Sequence, residues 1–122
     1  MKFRRLTPML WTEDLKGSIA FYTEILGFTC GEFNENWQWA ALRRNEVELM
    51  LAKPNEHTAF DTIGFTGSLY FEIDDVDHFW NLVRGKTEIV YEPETFDWGM
   101  KEFAIKDNNG YILQFGQSIK NE

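Results

Sequence analysis

Apolar and polar residues along this chain run through the same order twice. Residues 6–11 are apolar-rich, read as a first strand that includes Pro8, and end at Thr12-Glu13-Asp14, where a short polar side chain can cap a helix and acidic residues suit its first turn. Leu15, Ile19, Tyr22 and Leu26 then recur at helical spacing before Gly27, which predicts an amphipathic helix with a glycine stop. From 28 to 53, three short apolar stretches are separated by polar breaks at Asn34-Glu35-Asn36 and Arg43-Arg44-Asn45, the pattern of an antiparallel meander. The segment 54–67, rich in Asn, Thr, Gly and Asp, lacks a period and reads as a connector. Beyond it Leu69, Phe71 and Ile73 alternate with Ser68, Tyr70 and Glu72 as in a strand. Asp74-Asp75 then precedes a helix with Val76, Phe79, Trp80 and Val83 on its apolar face. After Gly85 come three more strand stretches, 88–91, 101–106 and 111–115. The last two are joined by Asp107-Asn108-Asn109-Gly110, a turn whose Asn and Gly tolerate positive φ.

Laying Asp14 over Asp75 tests whether this is an internal repeat. Thr7 then falls on Ser68, Leu10 on Phe71, Leu15 on Val76 and Tyr22 on Val83, so apolar, capping and small polar positions agree. The expected fold is α+β: one domain over 1–122, with two βαβββ modules at about 4–53 and 67–117 that form a curved mixed sheet around a cleft. Alternation along each strand sorts its side chains. If Ser68 faces the cleft, so do Tyr70 and Glu72, while Leu69, Phe71 and Ile73 turn to the core. Around Glu48 the cleft side carries Met50, and around Thr7 it carries Met9 and Trp11.

Composition narrows the partners. The 122 residues are 43% hydrophobic and 16% aromatic, enough for one real core. Twelve basic against twenty acidic residues leave a net charge of -8, which repels nucleic acid and anionic lipid and raises the local concentration of cations. One cysteine, Cys30, cannot close an intrachain disulfide, and no stretch reads as a signal peptide or a membrane span, so a cytoplasmic protein is expected. Nucleophilic catalysis has little support, because Cys30 has no histidine nearby in sequence to raise its thiolate fraction. Glu46 and Glu48 share strand parity, but such pairs are common on solvated strands. No glycine-rich phosphate loop is present.

The chain resembles the vicinal oxygen chelate superfamily of glyoxalase I, extradiol dioxygenases and bleomycin resistance proteins. The broad resemblance rests on Asp14-Leu15, Ser18-Ile19-Ala20-Phe21-Tyr22 and Leu26-Gly27-Phe28. Trp98-Gly99-Met100-Lys101-Glu102-Phe103, running into Asp107-Asn108-Asn109-Gly110, resembles the bleomycin resistance branch more specifically. Enzymes of the superfamily hold a divalent metal on four strand positions, which the resemblance places at Thr7, Glu48, Ser68 and Gln114. Glu48 alone is a good ligand among these, and His57 in the connector and His78 in the second helix do not complete a set, so no metal or other cofactor is expected.

In the bleomycin resistance proteins aromatic side chains clasp the drug, and the matching positions here are Trp37 or Trp39, Tyr70 and Trp98, with Phe33 and Phe96 close by. Trp37 and Trp39 share a strand parity beside polar residues, and Trp98 adjoins a glycine in a turn-like stretch, whereas Trp80 reads as core. The ligand-contacting set is therefore Phe33, Trp37, Trp39, Glu48, Met50, Ser68, Tyr70, Glu72, Trp98 and Gln114. Rings beside carboxylates favour a cationic, partly planar guest. The expected function is metal-independent sequestration of such a molecule, of the bleomycin type. The alternative is a metal-dependent lyase, isomerase or dioxygenase of the same superfamily. The resemblance also implies a homodimer, with Pro8 at the hinge of an exchanged N-terminal segment.

Overall fold

The computed structural model describes residues 1–54, 62, 64–65 and 67–119. His57 lies outside the described residues. The chain divides into two compact units, Met1–Ile63 and Gly64–Glu122. Each is a four-stranded mixed sheet with one helix, and the two repeat the same order of elements.

In the first unit, β1 (Met9–Trp11) leads into helix α1 (Leu15–Ala20), which continues as a wider π-helical turn over Phe21–Ile25. The Asp14 carboxylate accepts from the Gly17 amide at 3.0 Å, satisfying one of the amides a helix start leaves open. Of the predicted face, Leu15, Tyr22 and Leu26 are buried and Ile19 is half-buried; Phe21, outside that pattern, is buried too, and Gly27 ends the helix at φ 76. Strands β2 (Thr29–Asn34), β3 (Trp39–Arg44) and β4 (Val47–Ala52) form the expected meander, and β1 pairs in parallel with β4, giving the order β1-β4-β3-β2. Leu10, Ala40, Leu42, Leu49 and Leu51 fill the core side of this sheet.

Two details depart from expectation. Pro8 lies just before β1, not in it, and its carbonyl accepts from Met50 N at 2.9 Å, so the missing proline N–H disrupts no ladder. Trp37 does not share a strand with Trp39: it sits in the β2–β3 turn, held by a 2.9 Å hydrogen bond from its amide to Asn34 Oδ1, and Gln38 takes φ 51 before β3 begins.

The second unit repeats the plan with β5 (Leu69–Glu72), α2 (Val76–Val83), β6 (Glu88–Thr95), β7 (Met100–Lys106) and β8 (Ile112–Ser118), in the order β5-β8-β7-β6. Asp75 caps α2 by accepting from His78 N at 3.0 Å, the counterpart of Asp14. Phe79 and Trp80 of α2 pack on Phe103 and Phe115, and Phe115 stacks on Phe71 at 5.0 Å. Trp80 is thus a core contact. Strand β6 outruns the predicted 88–91 because it is an edge strand: Pro93, which donates no hydrogen bond, is tolerated where β6 pairs with β7 alone and the register shifts. The turn after β7 forms as expected, with Asp107 Oδ1 accepting from the amides of Asn109 and Tyr111 and Gly110 at φ 92.

Candidate functional site

In each unit the helix covers one face of the sheet and leaves polar side chains on the other. On the open face of the second sheet, strand register sets out two rows. Tyr70 lies beside Gln114, Gln114 beside Ala104 and Ala104 beside Tyr91. The next row runs Glu72, Gly116, Glu102 and Glu94. Three carboxylates and a glycine therefore lie side by side.

Glu102 is the centre of this face. It is only 4% exposed, and its carboxylate accepts three hydrogen bonds from neutral donors: Tyr70 OH at 2.6 Å and Trp98 Nε1 at 3.2 Å on Oε2, and Tyr91 OH at 3.3 Å on Oε1. Gln114 Nε2 donates to Tyr91 OH at 2.9 Å, and Ser68 Oγ donates to Gln114 Oε1, so a directional chain runs from Ser68, just ahead of β5, through Gln114 on β8 and Tyr91 on β6 to Glu102 on β7. A buried carboxylate must be satisfied in this way or lose its charge. The phenol of Tyr70 is pushed up from its ordinary pKa, first by burial of its hydroxyl end and then by the hydrogen bond and negative charge of Glu102. Burial likewise raises Tyr91, against the opposing hydrogen bond from Gln114.

Two local features set this geometry. Gly116 lies between Glu72 and Glu102, and a Cβ there would come within 2.6 Å of Tyr70 Cζ. The missing side chain lets the Tyr70 ring lie across β8 and reach Glu102. The turn from β6 to β7 closes with Phe96 N donating to Met100 O at 2.9 Å and Gly99 at φ 83, which brings Trp98 back over β7. Trp98 stacks on Phe96 at 4.6 Å with 7° between the planes, and Phe96 meets Tyr91 edge-on. Trp98 is 66% exposed and Tyr70 46%, so both rings present surface outward while their polar tips meet at one carboxylate oxygen.

The open face of the first sheet carries a groove of about 420 Å³, lined by Trp39, Met50, Glu48, Thr7, Arg5 and Arg43 among others. Trp39 Nε1 donates to Met50 Sδ at 3.2 Å. Glu48 is ion-paired with both Arg5 and Arg43, so its charge is offset.

Of the residues picked out from sequence, Ser68, Tyr70, Trp98 and Gln114 meet in one network, with Glu72 exposed one row along. Trp39, Glu48 and Met50 meet in the first unit's groove. Phe33 stands opposite Ala40, on the sheet face away from the groove though itself exposed on the edge strand β2, and Trp37 belongs to a turn. The sequence pattern singles out Phe96 but not Glu102, Tyr91 or Gly116 as part of this face. Counting back from the Asp107 turn gives Glu102 a parity opposite to Phe103 and Ile105, which signals the open side of the sheet but not the burial that Tyr70, Tyr91 and Trp98 impose.

The residues do not fit a divalent metal. Ser68 and Gln114 bond to each other, Glu48 is held by two guanidinium groups, and hydroxyl and amide oxygens bind such ions weakly. Among the described residues no three His, Cys, Asp or Glu side chains are grouped to hold one.

Two βαβββ units whose open faces carry polar and aromatic side chains define a class, and comparison with known proteins agrees with it. Residues 5–115 match the Glyoxalase/Bleomycin resistance protein/Dioxygenase superfamily, and the chain belongs to that family. It is 26% identical to the bleomycin resistance proteins of Geobacillus stearothermophilus and Staphylococcus aureus, over 93% of this chain and 96% of theirs. Among solved structures it is similar to a bleomycin resistance determinant encoded on the transposon Tn5, with TM-score 0.75, 24% identity and coverage of 95% of this chain and 98% of that one. A glyoxalase/bleomycin resistance protein/dioxygenase from Nocardioides aligns with TM-score 0.77 and 19% identity, over 100% of this chain and 89% of that one. No helix among the described residues is long and apolar enough to cross a membrane.

Proposed function

We propose that this chain is a metal-independent binding protein that sequesters a small cationic aromatic compound, of the bleomycin type, without altering it. The observation that carries this reading is the exposed Trp98–Phe96 stack with Tyr70 beside it, their edges gathered on the buried carboxylate of Glu102. Exposed rings of this size provide stacking area, and carboxylates beside them favour positive charge. The likeness to proteins named for bleomycin resistance supports the same class of guest. We assign Tyr70, Phe96 and Trp98 as ring contacts, Glu102 and Glu72 as the source of charge, and Ser68 and Gln114 as supports. Trp39 and Met50 provide a further apolar surface in the first unit's groove.

We further propose that the chain works as a single domain in a cytoplasmic homodimer. Cys30 is unpaired and calls for no oxidising compartment. Phe3 and Leu6 are 87% and 94% exposed ahead of Pro8, apolar surface that a second chain would cover.

Titration with bleomycin, followed by tryptophan fluorescence, tests the binding reading. Trp98→Ala should weaken binding by roughly tenfold, the loss of about 1.4 kcal/mol of stacking and cation–π attraction. Trp80→Phe, inside the core of the second unit, should leave affinity within about twofold. No quenching below millimolar concentration, or unchanged affinity in Trp98→Ala, would overturn the assignment.

A further inference from the structure

Glu102 holds a negative charge that is nearly inaccessible. It is 4% exposed, and among the described residues no lysine or arginine pairs with it. The cation on the same face, Lys106, is ion-paired with Glu88 at 3.2 Å, four residues along β7. Neutral donors from Tyr70, Tyr91 and Trp98 fill three of the roughly four acceptor positions a carboxylate offers.

These facts bear on which cations the face can recognise. An ammonium or amidinium group gains most from charge-assisted hydrogen bonds and gives up strong hydration to make them. The oxygens of Glu102 are occupied and covered, so such a group would lose its water without reaching them, and the carboxylates it could reach, Glu72 and Glu94 in the same row, are exposed, where water screens the attraction. A cation that has no donor on its charged atom loses little hydration. It can settle on the exposed face of Trp98 or Tyr70 and feel the charge of the carboxylate at the ring's polar edge, partly through the ring itself, which screens it less than water would.

We propose that Glu102 makes this face selective for alkylated or charge-delocalised aromatic cations without hydrogen-bond donors, over amidinium or ammonium cations and over neutral rings. Glu102 acts as the specificity-determining residue, and Tyr70 and Trp98 both present the aromatic surface and block direct access to the carboxylate. The inference rests on the aromatic binding reading given above and goes further by naming the chemistry of the guest's charge.

Three probes of similar size separate the possibilities: N-methylquinolinium, neutral 1-methylnaphthalene and the hydrogen-bonding cation benzamidinium, each titrated against the intact protein by tryptophan fluorescence. The parent should bind N-methylquinolinium roughly tenfold more tightly than either of the others. Glu102→Gln, close to isosteric, should bring N-methylquinolinium down to the affinity of 1-methylnaphthalene while the latter changes by less than about threefold. Tyr70→Phe keeps the ring but uncovers one carboxylate acceptor, so benzamidinium should gain on N-methylquinolinium, a reversal that simple destabilisation cannot produce. Equal binding of all three probes by the parent, or a charge preference that survives Glu102→Gln, overturns the proposal and leaves the aromatic face standing. Failure of all three to bind, with the protein folded by circular dichroism, overturns both readings.

Discussion

Gly116 decides more at the open face of the second sheet than any of the rings it accommodates. Its lack of a side chain lets Tyr70 cross β8 to the carboxylate of Glu102 on β7, and the Met100 methyl lies 3.2 Å from where a Cβ would stand. Its backbone needs no unusual φ, so the requirement is for space alone. Gly116→Ala should push the Tyr70 hydroxyl off Glu102 and cost about 1–3 kcal/mol of stability, as overpacking of a close-fitted site does. Chemical denaturation of the single variants and of Gly116→Ala in a Tyr70→Ala background checks this. The cost should largely disappear in the double variant, because the clashing ring has gone. An equal cost in both backgrounds would place the strain elsewhere.

At the scale of elements, both helices are short, and each begins with an aspartate that accepts from an amide of the first turn: Gly17 for α1 and His78 for α2. So few helical turns hold little intrinsic stability, and packing plus capping must supply it. Asp14→Ala and Asp75→Ala should each lower stability by about 0.5–2 kcal/mol, with Asp→Asn costing much less, since the amide oxygen still accepts the hydrogen bond. Urea melts of the four variants distinguish a cap from a surface charge. If Asn is as harmful as Ala, the charge and not the hydrogen bond matters. The strands show the same interplay of local rule and context. Pro93 sits in an edge strand where its missing donor harms nothing, and Pro8 precedes β1 and contributes only its carbonyl.

For the whole molecule, the proposed homodimer makes a simple demand. Exposed Phe3 and Leu6 precede β1, itself an edge strand of the first sheet. Sedimentation at micromolar concentration should give about twice the chain mass of 14.4 kDa, and replacing Phe3 and Leu6 with serine should shift the species toward monomer. A monomer at every concentration refutes the proposal.

The order of elements could be read from the chain because it depends on local rules: helical spacing of Leu15, Tyr22 and Leu26, carboxylate caps at Asp14 and Asp75, and the Asp107–Gly110 turn each act over a few residues. Burial of Phe71 and exposure of Tyr70 followed from strand alternation for the same reason. Trp37 escaped that rule because parity counts only inside a strand, and the turn at Asn34 interrupts it. The centre of the site could not be read locally. Glu48 has the sequence signature of a lone carboxylate on a strand, yet Arg5 and Arg43 converge on it and offset its charge. Glu102, beside a lysine in an ordinary strand, is the carboxylate enclosed by Tyr70, Tyr91 and Trp98 from three separate segments. Pairing of β7 with β8 and β8 with β5 brings those segments together, and a carboxylate's surroundings depend on such long-range pairing, which no local pattern encodes.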